Sequence, residues 1–357
     1  MSDPTTTAWQ LLQAGLPPVP SGGELILRPT AAGPMALLRD AAGPPRVFVT
    51  DGTSVRELDP AADTGLPGAT LLAQPAALRE LLASRLGTVV RSDLVAWRPG
   101  RRAVLRLRTA DGLQHWLKLF DAKSWLRAER AFDAAPRALS PMQLMVPSHR
   151  LPEHCGCVAP HAPGTSLRNL LAADTPLPLS LLARGVLALG YSSRRGPLPG
   201  ADFGKALTAT LGSLEQGAAQ RPSLQHLRDS LALLPAPPTP VRPGLVHGDL
   251  HDKQVFVGRD TLAAIDLEGM AWGDTRIDLA NLAEHVRLRE LQQHGTERGQ
   301  AEQLLVRCGH DGDDDAMQRF RLLVRARLCG VYALRPRWGD LVEQLHQETA
   351  AWARRLS

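Results

Sequence analysis

The chain has 357 residues, of which 44% are hydrophobic, and a formal net charge of +5. That is length for two domains and apolar mass for a sizeable core. No apolar run approaches the ~18 residues of a membrane-spanning helix, and no basic block is interleaved with aromatics, so neither a membrane nor a nucleic acid is an expected partner.

The opening MSDPTTTAWQLLQAGL has no basic n-region and no long apolar stretch. No signal peptide is read there, and a cytoplasmic location is expected. Residues 1–20 read as a short helix with a Pro-rich exit. Glu24–Leu27, Met35–Leu38, Arg46–Thr50 and Ser54–Leu58 then read as strands separated by Gly33-Pro34, Gly43-Pro44-Pro45 and Asp51-Gly52. Asp-Gly between apolar runs is a hairpin signal, so the segment is a β-meander that must pack on another element to be stable. Pro75–Leu86 has Leu78, Leu81, Leu82 and Leu86 at helical spacing, with Pro75 at its start and Gly87 as its stop.

From Thr88 the pattern turns to strands: Val89–Trp97, Ala103–Arg108 and Leu113–Phe120, joined by Arg98–Arg102 (RPGRR) and by Thr109–Gly112. Trp125–Ala135 follows as a helix, and Met145–Pro147 and Cys157–Ala159 are short strand candidates. Pro160–Gly164 is a turn-rich boundary. Beyond it lie helices at Ser166–Ala172, Leu179–Ser193, Lys205–Gln216 and Ser223–Leu234, then the Pro-rich stretch Leu234–Pro243. The C-terminal third holds helices at Leu279–Gln293, Gln300–Cys308, Ala316–Tyr332 and Trp338–Arg355, all expected to be amphipathic.

Most of the chemistry is concentrated in Leu245–Leu282. Val255–Val257 and Leu262–Ile265 form a hairpin around Gly258-Arg259-Asp260. Such a hairpin brings Asp249, Gln254 and Asp266 around one point, an oxygen set suited to a hard cation such as Mg²⁺. Upstream, Lys118 lies on a strand and Glu129 on the helix after it. A lysine there is informative, because the only others in this chain are Lys123, Lys205 and Lys253. A compact ammonium held by a carboxylate fits between nucleotide phosphates where a planar guanidinium does not. Cys155, Cys157, Cys308 and Cys329 lack zinc-site spacing and read as free thiols. Asp311–Asp315 reads as a solvated acidic loop.

His247-Gly248-Asp249-Leu250-His251, then Ile265-Asp266-Leu267-Glu268 and Asp278-Leu279-Ala280, resemble the aminoglycoside phosphotransferase and choline kinase-like family. The resemblance covers about residues 88–290, with the Arg98–Arg102 turn, Lys118, Glu129 and Pro163-Gly164 in the expected order. The N-terminal meander loosely resembles the cap of maltokinase-like members. The resemblance implies an α+β, bilobal, protein kinase-like fold: a cap over 1–87, a β-rich N-lobe over 88–160 and a mostly helical C-lobe over 161–357. It implies ATP (or GTP) and Mg²⁺ as cofactors and a small-molecule hydroxyl as phosphoryl acceptor. Asp249 would be the catalytic base, and Asp266 and Gln254 the metal ligands. Lys118, positioned by Glu129, would hold the phosphates. Gly100, with Arg101 or Arg102, would cover them, and the Cys157–Pro160 segment, including Ala159, would meet the adenine. Asp278 would cap the helix that starts near Leu279, and His247 would be structural.

The family usually has Asn where this chain has Gln254, and the RPGRR turn has a single glycine. Two other readings therefore stay open: a nucleotide-binding pseudokinase that works through protein contacts, and a metal-dependent hydrolase built on His247, Asp249, His251 and Asp266.

Overall fold

The computed structural model describes residues 4–30, 33–40, 43–136, 139–193, 196–239, 243–310 and 314–356. The chain divides into two compact units. Met1–Leu126, Pro147–His161 and Leu334–Trp338 form the first; Arg127–Val146, Ala162–Ala333 and Gly339–Ser357 form the second. The class is α+β, as expected.

In the first unit, α1 (Pro4–Ala14) precedes an antiparallel meander of β1 (Glu24–Thr30), β2 (Gly33–Arg39), β3 (Arg46–Thr50) and β4 (Val55–Glu57). Its period-two alternation buries both faces. Leu27, Ala36, Leu38 and Phe48 pack with Trp9 and Leu12 of α1. Ile26, Leu37 and Val47 point the other way, into a larger core. That core also takes Leu71 of the short α2 (Thr70–Ala73) and Leu78 and Leu82 of α3 (Pro75–Leu86). Its remaining wall is a sheet ordered β5 (Val89–Arg98), β6 (Arg102–Thr109), β7 (Gln114–Phe120), β10 (Gly156–Pro160) and β9 (His149–Leu151). The meander is thus a layer of the unit's core, which answers why an otherwise marginal four-strand piece holds together. Helix α4 (Ala122–Ala134) follows β7.

In the second unit, β11 (Thr165–Ser166), β14 (Val255–Val257), β15 (Leu262–Ala264) and β8 (Met142–Leu144) form one sheet in that order. Sequence patterning expects a strand at Met145–Pro147; the strand is Met142–Leu144 instead. An apolar run fits the pattern at either place. The parallel register Met142↔Leu262 to Leu144↔Ala264 decides it, and after it Val146 N–H turns back onto Leu144 O at 3.0 Å. A second small sheet is β12 (Gly200–Ala201), β16 (Ala271–Gly273) and β13 (Gly244–Val246). The helices are α5 (Leu167–Ala172), α6 (Leu179–Tyr191), α7 (Phe203–Ala218), α8 (Leu224–Ala232), α9 (Arg276–His294), α10 (Gln300–Arg307), α11 (Asp315–Ala333) and α12 (Gly339–Leu356).

Helix α9 departs from the expected amphipathic pattern. Every residue from Asp278 to Leu291 is buried, charged ones included. Its acids and arginines are enclosed by partners from neighbouring elements: Glu284 by Arg321 Nε at 2.8 Å and Arg325 Nε at 2.9 Å, and Arg287 by Glu297 and Glu348. The arginines hold the Glu284 carboxyl down to about 2 against the opposing effect of burial. Of the acidic run after His310, residues 311–313 lie outside the described residues. Asp314 accepts the Met317 N–H at 3.0 Å at the start of α11, and Asp315 pairs with Arg319 at 2.9 Å, so these two acids close a helix end.

Candidate active site

The sequence from β13 to β15 folds back on itself to build the site in the second unit. After Val246 the chain turns through His247-Gly248-Asp249. Gly248 has φ +85°, and a Cβ there would sit 2.2 Å from the Gly269 carbonyl oxygen, so both its conformation and its surroundings require glycine. His247 is fully buried, with Nε2 2.8 Å from the Ile265 carbonyl oxygen, which ties this turn to the end of β15. The histidine is structural, as expected. Asp278 does not cap α9, whose helix begins two residues earlier at Arg276. Its buried carboxylate instead accepts the backbone N–H of His247 at 2.5 Å and of Gly248 at 2.9 Å. Burial raises the Asp278 carboxyl above its ordinary range in spite of His247 and those two bonds. The helix start at Arg276 is instead stabilised by Asp274, whose Oδ1 accepts the Arg276 N–H at 3.1 Å.

Asp249, at the end of this turn, has a half-exposed side chain. Asn281 Nδ2 lies 3.5 Å from its Oδ1, and Arg327 Nη2 lies 3.6 Å from the same oxygen. His251 Nε2 is 3.8 Å from Oδ2. Burial pushes the Asp249 carboxyl up, but Arg327 and the histidines 251, 285 and 247 outweigh it and leave it lowered. Asp249 is therefore charged at neutral pH and held by donors on α9 and α11.

The hairpin does what its sequence predicts for two of the three oxygen groups. Val255↔Ala264 register, followed by Ile265 N–H on Gln254 O at 3.0 Å, puts Gln254 and Asp266 side by side. Gln254 Nε2 donates to Asp266 Oδ2 at 3.3 Å. Gln254 is buried, and its Oε1 has no hydrogen-bond partner. Asp266 adopts a left-handed backbone, φ +62° and ψ +51°, a conformation of the kind that persists where surrounding structure enforces it. The chain then turns at once through Leu267–Gly269, carrying Glu268 off the strand. An orphaned buried amide oxygen beside a carboxylate is a donor set that fits a hard divalent cation.

Behind the turn lies a network that sequence patterning does not reveal. Asp252 is fully buried and receives Arg289 Nε at 2.7 Å. His285 Nδ1 and His251 Nδ1 each lie 3.4 Å from its Oδ1, and the two imidazoles stack with centroids 4.7 Å apart. Despite its burial, these neighbours hold the Asp252 carboxyl far below the usual carboxylate range. Burial pushes His285 down to about 4. The Lys253 N–H lies 3.2 Å from His251 Nδ1, and Nε2 is the nitrogen that faces Asp249. His251, Asp252 and His285 place potential ligand atoms within 4.8 Å of one another. Arg289 already engages Asp252 and the Lys253 N–H meets His251 Nδ1, while His285 Nδ1 has no hydrogen-bond partner; among the described residues this group is not the His247, Asp249, His251 and Asp266 set of the hydrolase reading.

In the first unit, Lys118 is buried on β7, opposite Val104 of β6 and Cys157 of β10. Glu129 lies on α4, in the stretch that belongs to the second unit. Arg98 and Arg102 pair across the β5–β6 turn, with Gly100 at φ +67° between them and Arg101 N–H on Arg98 O at 3.0 Å. This turn is tied down by a residue the sequence did not single out. Asp63 Oδ2 accepts both the Gly100 N–H at 2.8 Å and the Trp97 indole N–H at 2.9 Å. Ala159 lies on β10 opposite Trp116, and β9 pairs only as far as Val158, so the strand edge at Ala159 faces no strand among the described residues. The four cysteines are free thiols. Among the described residues, no helix is long and apolar enough to cross a membrane.

No protein-family model and no curated protein sequence matches this chain. Solved structures do. Aminoglycoside phosphotransferase APH(4)-Ia aligns at 13% identity with a TM-score of 0.52, covering 78% of this chain and 98% of that one. Aminoglycoside phosphotransferase APH(3'')-Id from Streptomyces rimosus aligns at 18% identity with a TM-score of 0.51, covering 71% and 97%. A thermostable mutant of APH(4)-Ia, in a ternary complex with AMP-PNP and hygromycin B, aligns at 15% identity with a TM-score of 0.50, covering 78% and 98%. The likeness is one of fold: this chain has the protein kinase-like fold of those phosphotransferases.

Proposed function

We propose that this chain is a small-molecule kinase of the aminoglycoside phosphotransferase and choline kinase-like family, acting in the cytoplasm. It would transfer the γ-phosphoryl group of ATP (or GTP), with Mg²⁺, to a hydroxyl of a small molecule. The observation that carries the reading is the pairing of two features on one folded-back segment. Asp249 is a charged carboxylate held by Asn281 and Arg327, and Gln254 presents an orphaned amide oxygen beside Asp266.

In this reading Asp249 orients the acceptor hydroxyl and takes its proton. The acceptor O–Pγ bond forms, the bond from Pγ to the departing nucleoside diphosphate breaks, and the charge leaves on that diphosphate. Asp266 and Gln254 hold the cation, whose chemistry when bound is to neutralise phosphate charge. Lys118 steadies the phosphates. The Gly100 turn, with Arg101 and Arg102, covers them, and the Ala159 edge takes the adenine. The Gly100 N–H is committed to Asp63, so the turn contributes through its fixed shape and its arginines.

The test is Asp249→Asn assayed for ADP release with a panel of sugars, amino alcohols and aminoglycosides. Turnover should fall by ~10²-fold or more while nucleotide binding survives. Undiminished turnover would remove Asp249 from the chemistry. One observation favours a second reading, the pseudokinase: the Gln254 amide N–H already satisfies Asp266 Oδ2. Nucleotide binding without turnover of any acceptor would select it.

A further inference from the structure

The acceptor must approach Asp249, and the two helices beside that residue define which charge it meets. On α9 the acids are Asp278, Glu284 and Glu290; on α11 the acid is Asp315. Each is already engaged. Asp278 holds the N–H groups of His247 and Gly248. Glu284 lies between Arg321 and Arg325. Glu290 accepts the N–H of Arg298 at 2.8 Å and of Gln300 at 3.2 Å. Asp315 pairs with Arg319. Neither helix keeps a carboxylate for an ammonium group.

Arg327 is the opposite case. Its Nη2 donates to Asn281 Oδ1 at 2.5 Å and lies 3.6 Å from Asp249 Oδ1. Its Nε and Nη1 have no partner among the described residues, and the side chain is 29% exposed. Nη2 is thus anchored beside the base, while the Nε and Nη1 N–H groups remain to donate. A pre-oriented fork of this kind recognises carboxylates and phosphates and repels cations.

We propose that Arg327 is a specificity-determining residue that binds an anionic group of the acceptor, so that the phosphorylated hydroxyl belongs to a hydroxy acid or a phosphorylated polyol rather than a polyamine. The inference rests on the kinase reading above and sharpens it. Anchoring through Asn281 fixes the remaining guanidinium N–H groups relative to Asp249, so the anionic group and the reacting hydroxyl must lie a few bonds apart. The same cation that binds the acceptor also helps keep Asp249 ionised and able to receive the hydroxyl proton.

The experiment compares matched acceptors differing only in charge: glycerate and glycerol 3-phosphate, glycerol, and 3-aminopropane-1,2-diol, with gluconate, glucose and glucosamine as a second scaffold. ADP release is measured with the wild type, Arg327→Gln and Arg327→Glu. The wild type should prefer the anionic members by about 10- to 100-fold in kcat/KM. Arg327→Gln should erase that preference through acceptor KM, and Arg327→Glu should reverse it. The carboxylate and phosphate arms separate the two sources of anion. Equal or better turnover of the amines by the wild type would overturn the proposal. So would a loss of kcat in Arg327→Gln that is uniform across acceptors, since that is what a residue serving only Asp249 would produce. If no acceptor is turned over, the kinase reading fails separately. Calorimetry with glycerate and glycerol 3-phosphate then decides: binding to the wild type that is lost in Arg327→Gln supports the anion site, and no binding to the wild type overturns it.

Discussion

Replacing Asp252 with Leu probes the hidden half of the site. The carboxylate is fully buried, its partner Arg289 has a side chain only 9% exposed, and Nε lies 2.7 Å from Oδ2. Removing the acid strands a guanidinium that has given up its hydration. Breaking such a pair costs about 3–5 kcal/mol. Arg289 keeps two neutral acceptors, the Tyr332 hydroxyl at 3.0 Å and Gln292 Oε1, so the lower end, ~3 kcal/mol, is expected. The assay is urea denaturation at pH 7 of the wild type, Asp252→Leu, Arg289→Met and the double variant. Because an ion pair that has lost its water competes poorly with apolar packing, the double variant should lie within about 1 kcal/mol of the wild type, giving a coupling of ~2 kcal/mol or more. A loss below about 1 kcal/mol in Asp252→Leu would refute the claim that Asp252 neutralises Arg289. A double variant no more stable than the worse single would show that Asp252 acts through His251 and the loop instead.

Other outcomes follow from the same geometry. His285 is depressed to about 4 from its ordinary 6.5, so the unfolded chain takes up a proton that the folded chain refuses. Stability should be at its full value above pH ~6.5 and fall by about 3 kcal/mol as pH drops to ~4. His285→Phe should flatten that limb in pH-resolved denaturation, and an unchanged slope would exclude His285 as its source. Asp63→Ala should cost about 1–3 kcal/mol, because the Trp97 indole N–H, on a side chain 2% exposed, loses its acceptor. If the turn at Gly100 serves the nucleotide, nucleotide KM should rise as well, and unaltered nucleotide kinetics would separate the turn from phosphate binding. Gly248→Ala puts a methyl 2.2 Å from the Gly269 oxygen, so turnover should collapse even where circular dichroism shows a folded chain.

The sequence by itself determined the parts whose physics is local. Alternation in the meander, Pro75 and Gly87 around α3, and the hairpin at Gly258–Thr261 follow from periodicities of two and 3.6 and from turn chemistry. They fall where the residues predict, and the hairpin register alone sets Gln254 against Asp266. The motif order made the fold legible before any coordinates.

Tertiary structure decided the rest, because burial of charge has no periodicity. Helix α9 reads as amphipathic from its sequence, yet it is buried on every side from Asp278 to Leu291, since arginines from α11 and acids from elsewhere neutralise it. A partner 37 or 46 residues distant, such as Arg289 for Asp252 or Arg327 for Asn281, leaves no local signal. Asp278 shows the contrast most plainly. Its position near a helix start suggested a cap, but only the folded chain brings the N–H groups of His247 and Gly248 to its carboxylate. Residue chemistry told which atoms could act at Asp249. Packing of α9 and α11 determined which charge surrounds it, because that depends on which side chains remain unpaired after every other one has found its partner.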